Sequence, residues 1–85
     1  MRENEQRLVD VLADRIFRMA GSARKAAPLI DMGHPTLYRR LADPEKFTIA
    51  ELRTIAKELK VPEEKLMPAL QEAIYGSELK EHRSE

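Results

Sequence analysis

The chain has 85 residues, which supply apolar surface for one core and too little for two. Cysteine is absent, so disulfides and thiolate metal sites are excluded, and no apolar run approaches the ~18 residues that a membrane span needs. Fifteen cations balance fifteen anions, so any affinity for nucleic acid has to come from how the charge is distributed.

The first predicted helix runs from Asn4 to Met19. Leu8, Val11, Leu12, Ile16 and Met19 recur at three- and four-residue steps, with Arg7, Asp10, Asp14 and Arg18 among the outward positions. Asn4 is the expected N-cap and Gly21 the C-terminal stop. Ser22 can cap a second helix that reaches about Ile30. Pro28 strains that helix: as its sixth residue it deletes the bond to the Arg24 carbonyl, at ~3 kcal/mol, so the helix is either kinked there or shorter. Asp31 falls where the chain must reverse, and Asp tolerates the left-handed conformation better than most residues.

A third helix is expected over about His34 to Ala42, with Pro35 in its first turn, where the missing N–H costs nothing. Leu37 and Leu41 lie one turn apart and should face the core. Ala42 to Lys46 has turn chemistry. Thr48-Ile49-Ala50-Glu51 then spells a capping box, with Phe47 and Leu52 as its hydrophobic staple. The fourth helix is expected to run to about Lys60 and to bury Ile49, Leu52, Ile55, Ala56 and Leu59. Val61-Pro62-Glu63-Glu64 opens a fifth, with acids at the positive dipole end. Gly76 should stop it. Residues 77–85 are mostly charged, with only Leu79 to bury, and are expected to fray. The expected fold is all-α, a five-helix domain over residues 1–76 followed by a short tail, with no repeat and no strand pattern.

The stretch from Ala23 to Leu41 organises the rest. Its first half is small and aliphatic (Ala26, Ala27, Ile30), which suits a helix pressed closely on another. Its second half carries His34, Thr36, Tyr38, Arg39 and Arg40, more polar and cationic groups than a structural helix needs. A short helix, a turn and a second helix loaded with hydrogen-bonding side chains fit a DNA major groove. From Arg24 to Arg40 four cations face one anion, so this segment carries +3 and the remainder −3. A basic face on a neutral protein can still bind phosphates.

Five helices with this unit in the middle resemble the helix-turn-helix of phage repressors, the Cro and lambda-repressor-like (XRE) family, over about residues 5–70, with the motif at about 22–42. Ala27 matches the small residue at closest helix approach, Met32 the apolar turn residue, Gly33 the residue opening the recognition helix and Leu37 its core anchor. The segment TLYRRLADPEKFTIAELRTIAKELKV is similar to a run common in phage-derived regulators, "RRL…P..FT..EL..IA..L.V". Asp31, Arg40, Pro28 and Ala23 depart from the family pattern, Ala23 standing where a polar residue that touches phosphate is usual.

The resemblance implies a transcriptional regulator that reads base edges through His34, Pro35, Tyr38 and Arg39. Pro35 can offer only apolar contact, for instance to a thymine methyl, whereas the Arg39 fork matches guanine O6 and N7. Ser22, Arg24, Lys25, Thr36, Arg40 and Lys46 are the candidate phosphate contacts. One such helix spans about half a turn of groove, so a homodimer reading half-sites ~34 Å apart is expected. Leu66, Met67, Leu70, Ile74 and Tyr75 give the fifth helix more apolar surface than a terminal element needs, and are the candidate interface.

Catalysis is not expected: His34 and His82 are the only histidines, and no glycine-rich phosphate loop, nucleophile motif or metal-ligand cluster is present. No cofactor is implied. The competing expectation is a protein-interaction module on the same fold, such as an antitoxin or a phage regulator acting on a toxin or a host protein. Zero net charge, Pro28 and Ala23 favour it; the grouping of Arg39, Arg40, His34 and Thr36 on one helix disfavours it. The charged N-terminus lacks the apolar core of a signal peptide, so a soluble cytoplasmic protein is expected.

Overall fold

The computed structural model describes residues 3–84, with side chains for residues 3–76. Among the described residues the architecture is all-α: α1 (Glu3–Ala20), α2 (Ala23–Ala26), α3 (His34–Ala42), α4 (Ile49–Glu58) and α5 (Glu63–Ser84), with 3-10 turns at Ala27–Ile30 and Pro44–Lys46 and no strand. The three- and four-residue apolar spacing of α1 turns Leu8, Leu12 and Ile16 inward. They meet Ile30, Leu37, Ile55 and Leu59 in one core, and burial of such side chains is the main stabilising term in a domain this small.

α1 and α5 lie antiparallel. Arg7 pairs with Glu72 at 3.3 Å, and the Asn4 side-chain amide donates to the Ala73 carbonyl at 2.9 Å. Asn4 is therefore not the N-cap expected of it: α1 begins a residue earlier, and Asn4 instead ties the two long helices together. Gly76 does not end α5, which continues to Ser84. An added Cβ on Gly76 would stand 2.5 Å from the Asn4 Cβ, so this glycine serves a close helix approach and not a stop. Pro68 lies inside α5, on its exposed side, where water can take the carbonyl that its missing N–H leaves free. The tail expectation, including Leu79, falls on residues whose side chains lie outside those described.

The other end of the molecule is closed by caps. Thr48 accepts from the Glu51 N–H at 3.0 Å and Glu51 accepts from the Thr48 N–H at 2.9 Å, which is the capping box read from the sequence. α4 ends at Glu58, two residues sooner than expected. Lys60 takes a left-handed φ of 52° and the Val61 N–H closes onto the Ala56 carbonyl at 3.0 Å. The Arg15 guanidinium donates twice to the Leu59 carbonyl, at 3.2 and 3.1 Å, placing a cation on the negative end of α4. Two residues expected inside are outside. Ile49 is 75% exposed, because the first position after the cap points away from the stripe of Ile55 and Leu59, and Met19 is 42% exposed at the last turn of α1. Among the described residues no helix is long and apolar enough to cross a membrane.

Candidate nucleic-acid interface

The turn ahead of α3 is set by local constraints. Gly21, at φ +90°, releases the chain from α1 in a conformation that L side chains rarely adopt. Ser22 is extended, and its Oγ accepts from the Lys25 N–H at 3.2 Å, satisfying a first-turn donor of α2. α2 keeps α geometry for four residues and then tightens into the 3-10 turn, with Pro28 in that turn's opening positions. There a proline has no bond to make, which resolves the strain a continuous helix to Ile30 would have carried. Ala26 and Ala27 are buried, and their small side chains allow close packing. Asp31 takes φ 51°, ψ 48°, and the Met32 N–H closes onto the Ala27 carbonyl at 3.0 Å.

Gly33 is extended at the head of α3, whose first turn has no side-chain cap. Leu37 is fully buried and Leu41 packs against the core, so the opposite face of α3 is turned to solvent. That face carries all four candidate base readers: His34, Pro35, Tyr38 and Arg39 are exposed. Pro35, Tyr38 and Arg39 stand at i, i+3 and i+4 and are neighbours on the helix surface. Tyr38 is 53% exposed and meets the His34 ring edge-on, with centroids 6.2 Å apart and planes at 86°.

The candidate phosphate contacts divide. Arg24, Lys25 and Lys46 are exposed, and among the described residues neither their side chains nor that of Arg39 makes a hydrogen bond or ion pair. Arg24 and His34 come together around a shallow open cleft of about 350 Å³ that Pro28 and Asp31 also line. Thr36 is half-buried, and the Ser22 oxygen is engaged as the cap of α2. Arg40 departs from expectation. Its guanidinium turns back to α4, where Nε donates to Glu51 Oε1 at 3.0 Å and Nη2 to Oε2 at 3.4 Å. It braces α3 against the start of α4, and its charge is neutralised within the protein.

Glu51 is the residue that sequence reasoning placed only in a cap. One carboxylate receives the Arg40 fork and the Thr48 N–H, and these hydrogen bonds, the Arg40 one foremost, hold its pKa below the usual 4.5. A lowered folded-state pKa gives stability that is present above the unfolded value and is lost as pH falls through the folded one. Glu51→Gln should therefore melt below the parent near pH 7, and the gap should close as pH drops below 4.5. Thermal melts between about pH 7 and about pH 3 check this; a gap of constant size would mean that the ion pair contributes nothing.

The candidate dimer residues also divide. Leu66 and Leu70 pack against the core of their own chain, because they share the face of α5 that meets α1. Met67, Ile74 and Tyr75 are exposed and, at i, i+7 and i+8, share the other side. Among the described residues no group of three or more His, Asp or Glu side chains is arranged to hold a metal ion. Comparison with protein-family models, with curated proteins and with solved structures finds no match to this chain.

Proposed function

We propose that the chain is a cytoplasmic, sequence-specific double-stranded DNA-binding transcriptional regulator, working as phage repressors of the Cro and lambda-repressor type do, with α3 in the major groove. One observation carries it. The side chains just past Met32-Gly33 face solvent, not the protein's own core, and cations unpaired among the described residues flank them on α2 and after α3. Arg39, which has no partner among the described residues, supplies the forked donor for a guanine edge. Arg24, Lys25 and Lys46 supply phosphate contacts that hold the register. Arg40 is left out of that set and acts as a brace. Two copies read two half-sites, with Met67, Ile74 and Tyr75 as the available apolar contact between them, and no catalytic step or cofactor is involved.

Selection of bound duplexes from a random pool tests binding, symmetry and half-site spacing at once. Enrichment of an inverted repeat with half-sites ~34 Å apart supports the proposal; no enrichment overturns it. On the selected duplex, Arg39→Ala should flatten the preference at one base pair, worth ~1–3 kcal/mol, with little change elsewhere. Arg24→Ala should weaken all sequences alike and reduce the salt slope by about one unit.

The second reading, a protein-interaction module, is favoured by a specific feature: Phe17, Ile49 and Ile74 are large apolar side chains left in solvent. Salt separates the two. Binding through phosphates loses affinity with a slope of about −0.9 per contact, whereas an apolar protein interface responds weakly.

A further inference from the structure

We infer that the site read by α3 couples a guanine to a 5-methylpyrimidine within two base pairs of it, the methyl group being recognised by Pro35 and Tyr38 and the guanine by Arg39. This rests on the DNA-binding proposal above and adds the chemical class of the sequence bound. The exposed face of α3 consists of His34, Pro35, Tyr38, Arg39 and Ala42. It carries no carboxylate and no amide, so the amino groups of cytosine and adenine find no bidentate acceptor there. Pro35 has no N–H and no polar side-chain atom, and sits in the first turn of α3, the end that enters the groove. It can contribute apolar contact alone.

The Tyr38 ring extends that apolar surface one turn on. The His34 ring stands edge-on to it, with centroids 6.2 Å apart. The only apolar group a base pair offers in the major groove is the pyrimidine C5 methyl. Arg39 lies beside both, one residue after Tyr38 and four after Pro35. Four residues of helix advance ~6 Å, less than two base-pair steps of ~3.4 Å. A forked donor and an apolar patch at that separation match a guanine with a methylated pyrimidine next to it or one pair further on.

The test uses the full chain and the duplex enriched by selection, at fixed salt. Each thymine is replaced in turn by deoxyuridine, which removes the methyl and nothing else. The expected result is one position per half-site, within two base pairs of a guanine, where affinity falls roughly four-fold, the value of one buried methyl. Placing cytosine there and then 5-methylcytosine should recover a similar factor. In the Pro35→Ser, Tyr38→Ser double variant, checked for helix content, thymine and deoxyuridine should bind equally while the guanine preference remains. A parent chain indifferent to every thymine methyl overturns the inference and leaves DNA binding standing. A pool in which nothing is enriched overturns both.

Discussion

Leu37→Ala is expected to lower the unfolding free energy by about 2–5 kcal/mol, the largest single effect available in the motif. Leu37 has no solvent exposure and packs in the core with Ile30 and Ile55. Truncation there forfeits the transfer energy of the removed carbons and leaves a cavity in the core that the surrounding structure closes only in part. A domain of this size has about 5–10 kcal/mol in total, and each kcal/mol moves its melting temperature by ~4–8 °C. Circular dichroism should therefore record a fall of at least about 8 °C. The matched control is Arg39→Ala, on the opposite face of the same helix and without a partner among the described residues, which should melt within about 0.5 kcal/mol of the parent. A nearly unshifted Leu37→Ala melt would mean that α3 is rolled about its axis, and that the outward set His34, Pro35, Tyr38 and Arg39 is wrong.

What could be read from the sequence was what local chemistry decides. The Thr48–Glu51 box, the Ser22 cap, the left-handed Asp31 and the release at Gly21 each depend on a few consecutive residues, and each is in place. Pro28 shows the boundary of such reading. Helix rules identified the conflict, but whether the chain kinks or shortens depends on how closely Ala26 and Ala27 must lie against their neighbours, and the outcome is a change to 3-10 geometry. Arg40 lies beyond that boundary. An arginine one residue past Arg39 reads as another phosphate contact, and only the approach of α4 shows that Glu51, eleven residues on, takes it. The spacing of Ile49 with Leu52 and Ile55 places it in the buried stripe, yet the cap that starts α4 turns it out. For the candidate site, the direction of α3 follows from Leu37 and Leu41 and was legible; the sorting of cations into unpaired and braced was not.

Gly76→Ala should destabilise the domain by about 1–3 kcal/mol, as overpacking does. The sign is what makes it informative, because glycine to alanine within a helix ordinarily gains about 1 kcal/mol. The new Cβ would lie 2.5 Å from the Asn4 Cβ, an atom next to the α1 backbone that no side-chain rotation can move. α1 must then shift, and the Asn4 bond to the Ala73 carbonyl goes with it. The two contributions separate in the Gly76→Ala background. Asn4→Ala removes the hydrogen bond and keeps the clashing carbon, so it should recover nothing. Asn4→Gly removes the carbon itself and should recover part of the loss despite its own cost in helix propensity. Urea melts of six chains, the parent, Gly76→Ala, the two Asn4 single variants and the two double variants, give the coupling between the positions. A Gly76→Ala chain more stable than the parent would mean that the antiparallel packing of α1 on α5 is looser than described, and with it the base on which α2 and α3 are held.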